Sequence, residues 1–224
     1  SARKLTLKAE LGGIHNEWDV WVYPEQPKTE QHNFVYTRTW NDETKQWLNE
    51  GKNVLLIPEK CKGRKAHFAS HFWNPIMFNW NPMIVGTLID NEHPAFRDFP
   101  TRNYADWQWW DILNYATAVD LTDMRTLTPV IQSIDTYEVN RKLGISFEAN
   151  VAGGKLFVLC VDPEKDMEKR PAMQQLLTSV RNYVTSDRFA PSVSLQPYEL
   201  DALFDYSKIH NLSLIHISEP TRPY

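Results

Sequence analysis

A strand–helix–strand pattern near the start of the chain limits the fold most strongly. The sequence predicts a short strand at Phe34–Thr39, followed by a helix that Asn41 or Asp42 caps and Gly51 ends. The nearly continuous apolar run Asn53–Pro58 is typical of a buried parallel strand. This order indicates a right-handed β-α-β unit, so we expect an α/β domain.

The later sequence predicts further elements of the same domain. Leu143–Val151 alternates apolar and polar residues, a Gly-Gly turn follows, and Lys155–Asp162 has the pattern of a buried return strand. We expect this hairpin at or near one edge of a mostly parallel sheet with helices on both faces. Other predicted elements are strands at Ala66–Trp73, Ile84–Ile89 and Pro129–Asp135, and helices at Tyr104–Ala116 and from Pro171.

The first residues follow a different pattern. Lys4–Leu11 alternates apolar and polar residues, Gly12 and Gly13 predict a turn, and the aromatic run Glu17–Pro24 predicts a second strand. Two strands are not stable alone in water. We therefore interpret them as the last strands of a β-sandwich whose other strands are missing.

The chain divides into four predicted parts. They are the end of a truncated β-sandwich module at residues 1–24, a linker at 25–32, an α/β accessory domain at 33–204 and a tail at 205–224. The linker prediction rests on polar, proline-bearing composition. Residues 212–224 resemble the translation of a transposase adapter used in sequencing libraries, so they carry no argument about fold or function.

The composition argues against several classes of partner. A net charge of −4 and a pI near 6.0 give no electrostatic reason to expect binding to nucleic acid or to an anionic membrane surface. No apolar run approaches the ~20 residues of a membrane-spanning helix. The eight glycines form no phosphate-binding G-x-G-x-x-G motif. No cofactor is predicted.

The cysteines and histidines do not predict a metal site. Cys61 and Cys160 lie far apart in the sequence, each in or beside an apolar run, and no Cys/His spacing matches a zinc site. His67 and His71 share one face of a predicted strand, but ~13 Å apart, which is too far for one ion. We expect two buried thiols rather than a disulfide or a metal pair.

Three tryptophans fall within four consecutive positions of one predicted helix. Trp109 joins the apolar stripe of that helix, whereas Trp107 and Trp110 lie about 160° and 100° around it. Three indoles cannot all enter one apolar face. Trp107 and Trp110, together with Trp73 and Trp80, are therefore candidates for contact with a carbohydrate or with another module.

The motifs Trp21-Val-Tyr-Pro24 and Trp107-Gln-Trp-Trp110 occur together with five further segments of distinctive sequence. Together these segments resemble the C-terminal region of bacterial glycoside hydrolase family 2 enzymes, the β-galactosidase and β-glucuronidase group. The resemblance spans most of the chain. Its most specific parts are the Trp-Val-Tyr-Pro and Trp-Gln-Trp-Trp motifs. The segments are Asn16–Pro24, His93–Pro100, Asp106–Asp111, Pro129–Asp135, Asn140–Leu143, Phe147–Ala149 and Gly153–Leu156.

This resemblance implies a role inside a larger enzyme. Such enzymes place β-sandwich modules around a catalytic (β/α) barrel that carries two glutamates and cleaves β-glycosidic bonds with retention. The barrel is not in this sequence, so the chain itself is expected to be a non-catalytic accessory fragment with a flavodoxin-like or glutamine-amidotransferase-like domain. The implied partners are the barrel, the β-sandwich and polysaccharide, in the periplasm or outside the cell.

Two other functions remain open. One is a carbohydrate-binding module that uses exposed tryptophans, and the other is an autonomous small-molecule enzyme. Glu17 follows an asparagine, as the acid/base glutamate does in family 2, but retaining hydrolysis needs a second carboxyl ~5–5.5 Å away and none is predicted. Cys160 lacks the flanking glycines of a nucleophile turn. We assign neither residue a catalytic role.

Overall fold

The computed structural model describes residues 1–25, 34–68, 84–136 and 138–204. Trp73, Trp80, most of the predicted linker and the tail lie outside these ranges, as do residues 69–73 of one predicted strand. The elements in chain order are β1 Arg3–Leu11, β2 Ile14–Val22, β3 Val35–Thr37, α1 Asp42–Asn49, β4 Asn53–Leu56, β5 Gly63–Lys65, β6 Gly86–Ile89, α2 Trp109–Asn114, β7 Thr117–Asp120, β8 Ile131–Ile134, β9 Lys142–Val151, β10 Gly154–Leu159, α3 Pro171–Val184, β11 Ser194–Leu195 and α4 Pro197–Phe204.

Nine strands form one mixed sheet. Its main path is β3-β4-β10-β9-β7-β5, while β8 and β11 also pair with β9, and β6 pairs with β8. Among the described residues, three strand pairs of this sheet are parallel, β3–β4, β4–β10 and β9–β11, and five are antiparallel. The prediction of a mostly parallel, flavodoxin-like or glutamine-amidotransferase-like sheet is therefore wrong.

The error has a physical reason in the connections between strands. The turn between β9 and β10 is too short for a crossover, so these two strands must be antiparallel. They lie in the middle of the sheet, whereas the sequence predicted them at or near one edge, and β9 also pairs antiparallel with β7 and β8. Strands also hold 34% of the described residues against 23% for helices, so a helix-covered parallel sheet does not form.

The strand–helix–strand unit is confirmed. Strands β3 and β4 are parallel, with Val35 opposite Val54, and α1 connects them. The Asn41 side chain accepts a hydrogen bond from the Thr44 backbone N–H at 3.0 Å, which caps the first turn. Gly51 follows the helix with φ of +79°, a backbone conformation that glycine adopts without strain.

Strand β9 changes faces along its length. Leu143 and Ile145 belong to one hydrophobic cluster, but Phe147 and Ala149 belong to the other. Strict alternation would place all four side chains on one face. A register shift in the pairing with β8 lies at this point of the strand, which is the mark of a β-bulge. One cluster packs beneath α2 and α3, and the other beneath α1 and α4.

Trp109 lies at the centre of the first cluster, as predicted. Its ring meets Phe96 and Phe99 edge-on, with centroids 6.0 and 5.3 Å away. Its indole N–H donates a 2.8 Å hydrogen bond to the Thr101 hydroxyl. The indole is fully buried and its one polar atom is satisfied. Helix α2 begins only at Trp109, so the helix predicted at Tyr104–Ala116 is too long.

Arg170 holds the tryptophan segment against α3. Its side chain is buried, and Nε donates to both carboxylate oxygens of Asp111 at 2.8 and 2.7 Å. Nη1 donates to the Asp162 backbone oxygen at 2.7 Å, and the guanidinium lies 4.6 Å from the centre of the Tyr115 ring. A buried cation needs such partners to offset its lost hydration. The start of α2 and the start of α3 are thereby fixed to each other.

Replacing Trp109 with alanine should lower the free energy of unfolding by ~3–5 kcal/mol, because a fully buried indole leaves a cavity among Phe96 and Phe99. Urea unfolding of the purified chain measures the change. Trp110→Ala is the matched control, since it removes the same side chain at a position that is 55% exposed. An equal loss in both variants would contradict the assignment of Trp109 alone to the core.

Candidate functional site

The predicted hairpin at the start of the chain is confirmed as a separate two-stranded sheet. Strands β1 and β2 pair antiparallel from Arg3 opposite Val22 to Leu11 opposite Ile14. Gly12 and Gly13 make the turn with φ of +57° and +83°, the left-handed conformation that a two-residue hairpin loop requires. Because side chains alternate along each strand, the hairpin has one polar and one apolar face.

The polar face of the hairpin is anchored on the main domain by aromatic side chains. The Trp21 indole N–H donates a 2.9 Å hydrogen bond to the Pro100 carbonyl oxygen. Just beyond β2, the Tyr23 hydroxyl donates to Gln108 Oε1 at 2.8 Å, and its ring stacks parallel to Phe99 with centroids 6.2 Å apart. These contacts join the two motifs that carry the family 2 resemblance, one on each side of the junction.

An ion pair adds to this anchor. Arg102 donates to the Asp19 carboxylate from Nε at 2.8 Å and from Nη2, and Asp19 also accepts from Lys4 and Thr6 of the neighbouring strand. These partners leave the Asp19 side chain only 7% exposed. Hydrogen bonds from Arg102, then from Lys4, hold the pKa of Asp19 below its ordinary value of 3.8. The carboxylate therefore stays charged and ties β2 to the domain.

The apolar face of the hairpin is open. Seven large apolar side chains lie on it, and each is 40% to 85% exposed. Cross-strand pairs such as Leu7 with Trp18 and Leu5 with Val20 form a continuous apolar surface on one side of the sheet. A contiguous apolar patch of this kind on a protein surface is typical of an interaction surface. The seven residues, which we call the outer face, are Leu5, Leu7, Leu11, Ile14, Trp18, Val20 and Val22.

Two grooves run between the hairpin and the segment before α2. Trp18, Asp19 and Trp107 line both of them. One groove, of about 400 Å³, is mainly apolar, with Val20, Trp21 and Tyr23 in its walls. The other, of about 310 Å³, is mainly polar and includes Lys4, Glu17, Arg102, Tyr104 and Asp106. Both have the size of a small-ligand site.

The structure separates the predicted contact tryptophans. Trp107 is 67% exposed and Trp110 is 55% exposed. Trp107 faces the grooves and lies 6.0 Å from the Phe68 ring, while its backbone N–H is held by the Asp106 carboxylate. Trp110 is absent from the linings of the described grooves. Trp73 and Trp80 lie outside the described residues.

The two residues weighed for catalysis occupy unpromising positions. Glu17 lies on the polar face of β2, where it forms a 2.6 Å ion pair with Lys8 of β1. Cys160 is 2% exposed, and the Cys61 thiol, together with burial, raises the pKa of Cys160 well above its ordinary value. A buried thiol held in its protonated form is a poor nucleophile.

A polar group of His93, Tyr183 and Glu148, which the sequence did not indicate, lies beside a small cavity. The Tyr183 hydroxyl donates to Glu148 Oε2 at 2.8 Å, and His93 Nε2 lies 3.6 Å from the same oxygen. His93 Nδ1 accepts from the Ala95 N–H, and its ring packs edge-on against Tyr183. The adjacent cavity is only about 40 Å³, which is too small for a substrate. No group that could hold a metal ion occurs among the described residues.

Local sequence patterns could have placed some of the groove residues but not others. Trp18 could have been placed beside Leu7 from the two-residue turn, because such a turn fixes the register of the whole hairpin. Arg102 has no local signal, since its partner Asp19 lies 83 residues away in the sequence. The junction therefore depends on how the hairpin and the domain meet.

The comparison with protein families identifies a family whose function is unknown. Residues 35–205 match the family model described as "Domain of unknown function (DUF8487)". No curated protein matches the chain. Strands β1 and β2 lie before the matched range. Within the described ranges, no helix is long and apolar enough to span a membrane.

Replacing Asp19 with asparagine should loosen the hairpin, because the variant loses its charge opposite Arg102 and Lys4. We expect amide hydrogen exchange in β1 and β2 to be several-fold faster than in the parent chain at about pH 6, with β9 unchanged as internal control. The pKa of Asp19 is lowered by folding, so its contribution is present above 3.8 and is lost as pH falls through the lower folded value.

The amide exchange rates of the parent chain and the variant should therefore become equal below that folded pKa, where the parent aspartate is also uncharged. Comparing both chains at the same pH removes the pH dependence of exchange itself. A difference that persists unchanged in strong acid would contradict the ion-pair explanation.

Proposed function

Since the chain belongs to the DUF8487 family of unknown function, we propose that it is a non-catalytic accessory module of a glycoside hydrolase of family 2. In this proposal the hairpin belongs to a β-sandwich of the parent enzyme, and the family domain braces that sandwich. The observation that carries the proposal is the open outer face of the hairpin, with all seven of its large apolar side chains exposed.

The shape and chemistry of the outer face favour another β-sheet as its partner. Two nine-residue strands with apolar side chains on one face are half of a sheet-on-sheet core. Both outer edges of the hairpin are also free of strand pairing within the described residues, so further strands can extend it. A β-sandwich module offers both contacts, whereas a flat protein surface offers only one.

The anchoring of the polar face supports a bracing role. Trp21, Tyr23 and Asp19 fix the hairpin to residues 100–108 of the domain through direct hydrogen bonds. A module bound to the outer face would therefore keep a defined position relative to the family domain. The choice of a family 2 enzyme as the parent rests on the sequence resemblance. The two motifs that carry this resemblance, Trp-Val-Tyr-Pro and Trp-Gln-Trp-Trp, meet at this junction through the hydrogen bond between Tyr23 and Gln108.

Replacing Leu7 with lysine should weaken binding of the parent enzyme's β-sandwich, produced as a separate polypeptide, by about tenfold or more. Burial of one leucine contributes ~1.5–3 kcal/mol, and a charge would face the apolar partner instead. Isothermal titration calorimetry measures the affinity. Tyr198→Lys is the matched control, because Tyr198 is 71% exposed on α4, away from the hairpin. Equal affinity of both variants would contradict docking through the outer face.

A second candidate is carbohydrate binding in the grooves. The specific observation is that Trp18 and Trp107 border an apolar groove and a polar groove at once. Sugars have apolar ring faces and a rim of hydroxyls, so an indole beside carboxylates and a guanidinium suits them. Asp106, Arg102 and Glu17 supply the polar groups here.

Under this second candidate, Trp107→Ala should abolish retardation of the chain in gels that contain a soluble β-linked polysaccharide, because the stacking surface is lost. Trp110→Ala is the matched control, since it removes a similarly exposed indole that lines neither groove. Native affinity electrophoresis measures retardation. Equal retardation of both variants and the parent chain would exclude Trp107 as a sugar platform.

A further inference from the structure

The fold brings the two cysteines of the chain together. The sequence has two cysteines, Cys61 and Cys160, and both are free thiols. In the folded chain the side chains of Cys61 and Cys160 are close enough for each thiol to shift the pKa of the other. Cys61 also packs on the hydrophobic cluster that contains Cys160. The sequence prediction of two separate buried thiols misses this contact.

Thr117 contacts the chain beside both cysteines. Cys160 follows β10, and its carbonyl oxygen accepts a 2.9 Å hydrogen bond from the Thr117 N–H at the start of β7. The Thr117 side chain also lies against Gly63 of β5, where an added Cβ would come within 2.8 Å of Thr117 Cγ2, and Cys61 lies two residues before Gly63. On the other side, the Lys62 N–H donates to the Leu203 carbonyl oxygen at 3.1 Å, which holds the loop in place. The contact is therefore built into the sheet.

The two thiols differ in access and in acidity. Cys61 is half-buried, whereas Cys160 is 2% exposed. The neighbouring Cys160 thiol, aided by Thr117, lowers the pKa of Cys61 against the opposing effect of burial. The neighbouring Cys61 thiol, with burial, raises the pKa of Cys160. Cys61 is therefore the thiol that meets and attacks an oxidant first.

We propose that Cys61 and Cys160 form a redox pair that closes to a disulfide when the chain meets a small disulfide oxidant. The Cys61 thiolate attacks one sulfur of the oxidant, forms a mixed disulfide and releases one thiolate of the oxidant. Cys160 then loses its proton and attacks the Cys61 sulfur, which releases the second thiolate. The two cysteines are oxidised by two electrons, and the oxidant is reduced to two thiols.

The bond would link the end of β10 to the loop before β5 and close a loop of about 100 residues, which favours the folded chain by restricting the unfolded one. The loop that carries Cys61 also contacts α4 through Leu203. The disulfide would therefore secure an edge of the sheet and the last helix together. It is independent of the docking and sugar-binding proposals, because neither cysteine lies at the hairpin junction.

Oxidised glutathione is the probe. After incubation with it, the chain should lose both free thiols, lose two hydrogens in intact mass, retain no glutathione, and show a Tm higher by roughly 5–15 °C. Dithiothreitol should reverse all of these changes. Cys160→Ser should instead keep one glutathione on Cys61, since no second thiol can release it. Cys61→Ser should keep its buried Cys160 unmodified in the folded chain.

Two results would overturn the proposal. One is a parent chain that keeps both thiols under conditions in which Cys160→Ser is fully glutathionylated. The other is a parent chain that accumulates the glutathione adduct, since Cys160 would then be unable to reach Cys61. Glutathionylation of folded Cys61→Ser at the rate of Cys160→Ser would overturn the assigned order of attack.

Discussion

A two-stranded sheet is not stable by itself in water, and this constraint governs the first part of the chain. Strands β1 and β2 keep their place because Trp21, Tyr23 and Asp19 bind residues 100–108 of the main domain. The grooves, the exposed position of Trp107 beside Trp18, and the direction of the outer face all follow from these contacts. Without this anchor there would be no defined surface to present to another module.

Local patterns predicted the parts of the fold that local interactions determine. The glycine turns of both hairpins, the Asn41 cap of α1 and the burial of Trp109 were readable from spacing and residue type. Sheet order was not, because β10 pairs with β4 across a long stretch of chain and nothing near either strand encodes that choice. The same distinction holds for the candidate site. The exposure of Trp107 was predictable from its position on the predicted helix. Its grouping with Trp18 and Arg102, and the proximity of Cys61 to Cys160, depend on tertiary structure.

In the proposed function, the open outer face of the hairpin is the surface that binds another module. The residues matched by the family model form the nine-stranded sheet and its helices, while the hairpin lies before them and turns its apolar side chains outward. An apolar sheet face of this size favours association with another sheet over exposure to water. Trp18 and Val20 belong both to the outer face and to the apolar groove, so docking and sugar binding are distinguished by Leu7, which lines neither of the two grooves, and by Trp107, which lies outside the outer face.

The most direct test of the account is the reading frame that precedes Ser1 in the source gene. We predict β-strand patterns of a sandwich immediately upstream, so that β1 and β2 complete it, and before them a (β/α) barrel with two glutamates placed for retaining hydrolysis. An upstream frame that encodes neither a β-sandwich nor a barrel would contradict the claim that the hairpin belongs to a neighbouring module of a family 2 enzyme.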